Sequence, residues 1–357
     1  PFIHIEAGDT FDELKKDARN GYFEKLIKEY LLDNNHKSII SLVPEYGLEK
    51  EKEQKEADKL AEYKSTLTND ELKELVKKTK ELKEYQDTPS SQEDLEKIPM
   101  LELSDIKREP AKDYNDVKSV DGIKIVHHNI FTNKIAYINM SFDTKCVPDE
   151  LIPYMGLLGS TLSLMDTKNY TYPELTNEIN INCGGLATGT ALYSDKVDFS
   201  KNTIVYEVKS KALYEKVPFV LGMMEEIMYN TRFDDYKRLK EIIARIKSRL
   251  EASLMGQGHS IAMLECCAQF SESAYYSDIL RGYKYYEFIK KLDEEFEQNK
   301  TQIVDKLNKL VGYIFNKDNV IVSLTADDEG YDCFVKALSA KSCNIKDEHY
   351  NTAVRSF

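Results

Sequence analysis

Metal chemistry is the first possibility that the histidines raise. Two histidines four residues apart share one helical face and can hold zinc, while a Glu between them activates a bound water. None of the six histidines forms such a pair: His4, His36, His127, His128, His259 and His349. His127 and His128 are adjacent on a predicted strand and therefore point to opposite faces. We predict no metal site, and a site built by His127, His128 or His259 with distant carboxylates stays open as the alternative.

The cysteines offer a second possible chemistry. They occur at irregular spacing and form no C-x-x-C pair: Cys146, Cys183, Cys266, Cys267, Cys333 and Cys343. This usage favours reduced, mostly buried thiols in a cytoplasm over a disulfide framework or a zinc ribbon. On a helix the side chains of Cys266 and Cys267 would diverge by about 100°. We therefore expect them to be small buried apolar residues rather than a redox pair.

Phosphate binding and nucleophilic catalysis are two further possibilities. Residues 184–190 read G-G-L-A-T-G-T, which is rich in glycine but lacks the G-K-[ST] that grips phosphate. No Ser, His and Asp set occurs at a recognisable spacing for nucleophilic chemistry. The prediction is therefore that the chain has no catalytic, cofactor-binding or metal-binding residue.

Two charged helices with a well-specified break lie near the N-terminal third. Apolar residues recur at helical spacing from 57 to 67 and again from 72 to 82. Thr68 and Glu71 form a T-x-x-E capping box, and Leu67 can pack on Leu72 across the turn. The pattern predicts an antiparallel helical hairpin within residues 45–110, with narrow apolar stripes buried on each other and on one neighbour. The hairpin could serve either as a spacer or as a hinge, and the sequence does not decide between these two roles.

Residues 1–44 look like the end of a larger domain. Residues 22–31 form a wide apolar helical face, and residues 38–43 read as a single β-strand. A lone strand leaves its backbone groups unpaired, so we expect the rest of its sheet upstream of Pro1. Residues 38–43 should then self-associate through their exposed edges or be disordered.

Residues 111–357 alternate between strands and helices. The predicted strands are 122–128 and 134–142, paired as a hairpin, then 187–193, 202–209 and 320–324. The predicted helices are 151–162, 172–182, 212–229, 233–254, 260–271, 282–292 and 331–338. This order predicts an α+β domain, with an antiparallel sheet backed on one side by helices.

Composition excludes several functional classes. The 357 residues carry a formal net charge of -13, which argues against nucleic acid and anionic membrane surfaces as partners. No apolar stretch approaches the roughly 20 residues of a membrane span, and the N-terminus lacks the pattern of a signal peptide. We therefore expect a cytoplasmic protein without a membrane or nucleic-acid partner.

One stretch resembles a known family. Three segments occur in order: Y-L-L-D-N-N-H at 30–36, L-K-E-Y-Q-D-T-P at 82–89 and I-P-M-L-E-L-S-D-I at 98–106. This order resembles the region that joins the two halves of presequence-protease-type enzymes, a branch of the pitrilysin/insulinase zinc metallopeptidases. The resemblance implies that residues 1–44 end the second domain, 45–110 are the helical linker, and 111–357 are the third domain.

The resemblance also indicates which chemistry is absent. The family binds zinc through H-x-x-E-H on the first helix of its first domain, whereas the matching helix here reads Tyr-Met-Gly-Leu-Leu at 154–158. Its fourth domain supplies an R-x-x-x-G-x-Y-type segment to the substrate. The similar run R-G-Y-K-Y-Y at 281–286 sits where the third domain carries a G-x-x-Y-Y-x-F packing helix. We therefore expect a structural role for it.

The resulting expectation is the non-catalytic middle portion of a zinc metalloendopeptidase that degrades unstructured peptides in a closed chamber. Zinc is expected in an N-terminal domain outside this chain, and the chain alone is expected to be inactive. Its partners would be the remaining domains of the same polypeptide. The alternative is a stand-alone adaptor protein of the same fold. An H-x-x-E-H motif encoded upstream would favour the enzyme, and a start codon near Pro1 would favour the adaptor.

Overall fold

The computed structural model describes residues 7–109, 114–198, 201–340 and 345–353. The chain divides into two units, Pro1–Arg108 and Glu109–Phe357. This two-unit division does not separate residues 1–44 from 45–110. The division into 1–44, 45–110 and 111–357 therefore stays a prediction. We call the two units the N-terminal unit and the C-terminal unit.

The N-terminal unit consists of helices joined by extended segments. Its α-helices are α1 (Gly8–Arg19), α2 (Tyr22–Leu26), α3 (Leu48–Thr66), α4 (Asn69–Asp87) and α5 (Gln92–Glu96). A π-helical turn at Ile27–Leu32 continues α2, and a 3-10 turn spans Leu103–Asp105. Gly21 separates α1 from α2 with a φ of 74°, a left-handed conformation that favours glycine.

The break between α3 and α4 is built as predicted. The Glu71 amide donates to Thr68 Oγ1 at 3.3 Å, and the Thr68 amide donates to the Glu71 carboxylate at 2.8 Å. These two bonds form the capping box and satisfy two amides that the helix leaves open. Leu67 and Leu72 are half-buried, and every other described residue from 35 to 108 is exposed. The predicted contact across this turn therefore agrees with the burial pattern.

The predicted burial of the helical stripes is wrong. Leu60, Leu75 and Leu82 are 60%, 51% and 57% exposed, and no described residue of the N-terminal unit is buried. The apolar positions of α3 include the small residues Ala57 and Ala61, so packing the helices together would remove little apolar area from water. At about 25 cal/mol per Å² such a contact stabilises weakly. The two helices are present, but they do not bury their stripes on each other.

The predicted strand at residues 38–43 is also not formed. These residues have no regular secondary structure, and the side chains of Ile39, Ile40, Leu42 and Val43 are 96%, 80%, 94% and 80% exposed. A strand needs a neighbour to accept and donate its backbone hydrogen bonds. Within the described part of the N-terminal unit there is no other strand to provide them.

The C-terminal unit contains a six-stranded mixed sheet. Its strands are β1 (Asp116–Val120), β2 (Ile123–Asn129), β3 (Ile135–Asp143), β4 (Leu186–Ser194), β5 (Asn202–Leu213) and β6 (Val320–Ala326). They lie in the order β1-β2-β6-β3-β5-β4. The α+β class is confirmed, but β2 and β6 are parallel, so the sheet is not antiparallel throughout.

The predicted hairpin of residues 122–128 and 134–142 is wrong, because β6 lies between β2 and β3. The real hairpin joins β1, which the sequence analysis missed, to β2. Its turn is Asp121 and Gly122, with φ values of 51° and 82°. Two positive φ values are typical of the tight turns that match the twist of paired strands.

Nine described helices belong to the C-terminal unit. They are α6 (Ile152–Thr161), α7 (Tyr172–Asn182), α8 (Val217–Tyr229), α9 (Tyr236–Gly256), α10 (Gly258–Cys267), α11 (Glu272–Arg281), α12 (Tyr283–Glu294), α13 (Phe296–Ile314) and α14 (Asp328–Ser339). Helices α11 and α13 were not predicted. Alternate β3 residues from Ala136 to Phe142 are buried towards the helices, so the core lies on that side of the sheet. None of the described helices has the length and apolar character needed to cross a membrane.

Candidate functional site

Helix α6 contains the run Tyr-Met-Gly-Leu-Leu at 154–158, which the resemblance matched to the family's zinc motif. Its side chains at Tyr154, Met155, Leu157 and Leu158 are all buried in the core. The Tyr154 ring packs edge-on against a phenylalanine ring, with 4.8 Å between the ring centroids. A lysine amino group donates to its hydroxyl at 3.3 Å. The positions that would hold metal ligands are therefore occupied by packing side chains without imidazole or carboxylate groups.

His127 and His128 point to opposite faces of the sheet, as predicted. His127 is buried, and its ring nitrogens lie 3.1 Å from Lys118 Nζ and 3.0 Å from the Ala326 carbonyl oxygen. His128 Nε2 lies 3.0 Å from Ser323 Oγ. Each ring is held by neighbouring protein atoms, and the two rings do not converge on a common point.

One group of described residues has the geometry of a metal site. Ligand atoms of Asp318, Asp347 and His349 all lie within 4.8 Å of one another, and all three residues are exposed. A parallel bridge between Asn316 and Lys346 brings these segments together, which explains why spacing along the chain did not reveal the group. Exposed acidic groups of this kind are common without a metal, so the geometry alone assigns no site.

The cysteines are free thiols in the described residues. Cys146 is buried, and its thiol donates to the Tyr313 carbonyl at 3.2 Å. The expectation that Cys266 and Cys267 are both buried is wrong, because Cys266 is exposed and Cys267 is half-buried at the end of α10. Cys343 and His4 lie outside the described residues.

The two glycine-containing segments act as structural joints. Gly184 and Gly185 turn the chain from α7 into β4, and Gly185 has a φ of 110°. Gly282 separates α11 from α12, and an added Cβ there would collide with the carboxylate of Asp278. The buried Asp278 carboxylate accepts a hydrogen bond from the Lys284 amide at 3.2 Å. This contact ties the two helices together.

A buried carboxylate lies on the sheet face opposite the helices. Glu207 accepts hydrogen bonds from Asn139 Nδ2 at 2.8 Å and from the Tyr193 hydroxyl at 2.9 Å. Its other oxygen lies 2.6 Å from Lys209 Nζ. Burial raises the pKa of Glu207, but the bonds from Lys209, Asn139 and Tyr193 outweigh it and hold the pKa below its ordinary value. A carboxylate tied down in this way serves as a structural acceptor rather than a general base.

A cavity of about 530 Å³ lies beside α6, and we call it the arginine cavity. Gly156, Gly159 and Ser160 of α6 line one side, and Thr188 to Thr190 of β4 line another. Arg245 and Arg249 of α9 and Arg281 of α11 also line the cavity, and all three residues are exposed. This cavity was not predicted from the sequence, because its arginines belong to helices whose packing no local pattern specifies.

Close packing of α6 against β4 shapes the wall of this cavity. A Cβ added to Gly159 would lie 3.2 Å from the Gly189 Cα, so the helix crosses the strand at short range. Thr188 Oγ1 donates to the Gly159 carbonyl at 3.1 Å across the same contact. A Cβ added to Gly156 would lie 2.8 Å from the Tyr285 ring, which closes the far wall. Small residues on α6 therefore let the strand and this ring approach the helix.

Comparison with known proteins gives a family. The family described as Peptidase M-16C associated matches residues 42–292. The chain is 36% identical over 356 residues to Protein HypA of Clostridium perfringens, covering 98% of this chain and 36% of that protein. It is 28% identical over 332 residues to Presequence protease 1, chloroplastic/mitochondrial, of Arabidopsis thaliana, covering 92% and 31%.

The chain is also similar in sequence to Presequence protease, mitochondrial, of Drosophila melanogaster. The identity is 25% over 319 residues, covering 89% of this chain and 30% of that protein. The chain thus spans about a third of the length of these relatives.

Proposed function

The chain belongs to the peptidase M-16C associated family, as its resemblance to presequence-protease-type enzymes predicted, and we propose that it forms linker and chamber wall in a zinc metalloendopeptidase. Residues 45–110 would join the two halves, and the C-terminal unit would line part of a chamber that encloses unstructured peptides. The remaining domains of the polypeptide would be its partners. One of them, towards the N-terminus, would hold the zinc.

The observation that carries this proposal is the filled face of α6. In a catalytic domain of this fold, that face would present two histidines and a glutamate to one metal ion. Here Tyr154, Leu157 and Leu158 occupy those positions and are buried. A helix packed in this way supports a wall role and leaves water activation to another part of the polypeptide.

The N-terminal unit supports the linker role. Helices α3 and α4 have 19 residues each and leave their apolar side chains exposed. We propose that α3, α4 and the exposed segment 38–43 find their packing partners in domains outside this chain. In the isolated chain, segment 38–43 would then recruit a second copy. Free thiols support a reducing, cytoplasmic location as part of the same proposal.

The linker role is tested in the whole protein with Leu75→Pro, compared with Leu75→Ala as the matched control. Proline in a helix interior costs about 3 kcal/mol, whereas alanine keeps α4 helical. We expect hydrolysis of an unstructured fluorogenic peptide to fall about tenfold or more in the proline variant, with zinc content unchanged. Equal rates in both variants would contradict the linker role. A whole protein without chelator-sensitive hydrolysis would support the adaptor alternative.

A further inference from the structure

The arginine cavity carries an unusual local charge. The whole chain has a formal charge of -13, yet no Asp or Glu of the described residues lines this cavity. Among the described residues, none of the guanidinium groups of Arg245, Arg249 and Arg281 has a carboxylate within the 4.0 Å of an ion pair. The Arg281 guanidinium donates only to the Ser277 hydroxyl, at 3.4 Å. Guanidinium groups match carboxylates through paired hydrogen bonds, so this cavity suits an anion.

A second, independent observation is the hydroxyl of Tyr285. This residue lines the cavity and is 4% exposed, but its hydroxyl has no hydrogen-bond partner among the described residues. A buried polar group without a partner is costly, typically about 1–3 kcal/mol. Burial raises the pKa of Tyr285, an effect that the nearby Arg249 charge opposes, and the phenol stays protonated at neutral pH. The hydroxyl oxygen itself is almost inaccessible, so it donates to an acceptor in the cavity only if the surrounding side chains shift on binding.

Strand β4, which lines the arginine cavity, indicates what kind of molecule could bring an anionic group into it. Among the described residues, strand β4 is the last strand of the sheet and pairs only with β5. Thr188 and Thr190 of β4 line the cavity from the sheet's helix-facing side. An extended peptide that pairs with the open edge of β4 would project alternate side chains towards that side. The cavity would receive such a side chain.

The apolar lining favours a peptide over a free phosphate ion. Ile246, Leu250 and Leu280 line the cavity together with the arginines. A volume of about 530 Å³ lies within the range of ligand pockets and far exceeds what one phosphate would fill. Apolar surface beside fixed cations suits a side chain that has a methylene stem and a carboxylate end.

We propose that the arginine cavity binds a Glu or Asp side chain of an extended peptide that pairs with the outer edge of β4. Arg245, Arg249 and Arg281 pair with the carboxylate, and the Tyr285 hydroxyl donates to it. This assignment rests on the proposed function, because it identifies acidic extended peptides as molecules that the chamber wall retains.

The test measures binding of the 357-residue chain to a short fluorescein-labelled peptide of alternating Glu and Val, by fluorescence anisotropy. The peptide with Gln in place of Glu is the control. We expect the Glu peptide to bind at least about tenfold more tightly, and Arg249→Gln to remove about tenfold of its affinity. Arg232→Gln, at an exposed arginine outside the cavity, should leave the affinity unchanged.

Tyr285→Phe separates a binding role from a structural one. We expect this variant to bind the Glu peptide about threefold to tenfold more weakly. Its melting temperature should be unchanged or higher, because the lost hydroxyl has no partner among the described residues of the chain. Equal binding of the Glu and Gln peptides would overturn the assignment. Binding of inorganic phosphate with the same Arg249 dependence, but of neither peptide, would also overturn it.

The cavity assignment and the proposed function fail in different ways. Glu-peptide binding that depends on Arg249, in a whole protein that hydrolyses no peptide, would contradict the peptidase and leave the cavity assignment standing. Chelator-sensitive hydrolysis by a whole protein whose chain binds both peptides equally would contradict the cavity assignment alone.

Discussion

The two units of this chain form helices for different reasons. In the N-terminal unit no described residue is buried, so α3 and α4 depend on capping, on charge pairs one turn apart, and on propensity. In the C-terminal unit the helices cover a sheet, and side chains such as Phe142, Leu158 and Phe334 are 0% exposed. Most helix stability in proteins comes from packing. The comparison therefore predicts that substitutions act through burial in one unit and through local hydrogen bonds in the other.

The largest effect is expected from removing a buried ring. Phe334→Ala in α14 should lower the free energy of unfolding by about 3–5 kcal/mol, because it leaves a cavity in a filled core. Leu75→Ala in α4, at a half-exposed site, should change it by about 0.5 kcal/mol or less. Urea unfolding of both variants measures the difference. Similar losses in the two variants would show that the N-terminal unit has a core of its own.

The next largest loss of stability is expected from adding one methyl group at Gly330. Gly330 in α14 packs against the Tyr214 ring, where an added Cβ would lie 2.5 Å from ring carbons. Gly330→Ala should therefore cost about 1–3 kcal/mol through overpacking. Gly8→Ala is the matched control in α1, where nothing lies within 4 Å of the added Cβ. Thermal unfolding should separate them, and an unchanged melting temperature for Gly330→Ala would mean that α14 packs differently.

A pH-dependent effect should follow from Glu207. Its pKa lies below the ordinary value of 4.5 in the folded state, so the stability it contributes is present above pH 4.5. That stability is lost as the pH falls through the lowered folded pKa. Glu207→Gln should therefore flatten the fall in unfolding free energy below about pH 4.5. Urea titrations at several acidic pH values measure this slope, and an identical slope in both proteins would contradict the bonding described for Glu207.

The smallest and most local effect is expected at the capping box. Thr68→Ala should cost about 1 kcal/mol of local helix stability, because the Glu71 amide loses its acceptor. Hydrogen exchange across residues 69–76 measures it. Thr79→Ala is the control, since the Thr79 hydroxyl bonds only back to the Leu75 carbonyl within α4. Equal exchange in wild type and Thr68→Ala would contradict the capping geometry.

The comparison of the two units also explains which parts of the fold could be predicted from the sequence. The break at Thr68 was predictable because capping depends on neighbours along the chain. The pairing of β2 with β6 was not, because β6 begins at Val320, far along the chain, and displaces the nearer β3. The Asp121-Gly122 pair, by contrast, is a hairpin signal that the sequence itself contains.

The candidate sites also divide into those set by neighbouring residues and those set by contacts between distant segments. That residues 154–158 do not match H-x-x-E-H could be read from the sequence, because the motif is contiguous. The arginine cavity was not visible, because Arg249 and Arg281 meet only when α9 and α11 pack around α6. Residues 38–43 have a strand-like sequence, but the described part of the N-terminal unit contains no other strand to pair with them. Features that depend on neighbouring residues along the chain could be predicted from the sequence, and contacts between distant segments could not.

The most direct test of the central claim is the zinc content of the dialysed 357-residue chain, measured together with its activity on an unstructured fluorogenic peptide. A chain without two histidines and a glutamate on one helix cannot activate water by the family's route. We expect no stoichiometric zinc and no cleavage by the chain, and chelator-sensitive cleavage by the whole protein. About one tightly held zinc per chain, with cleavage that a chelator stops, would contradict the account.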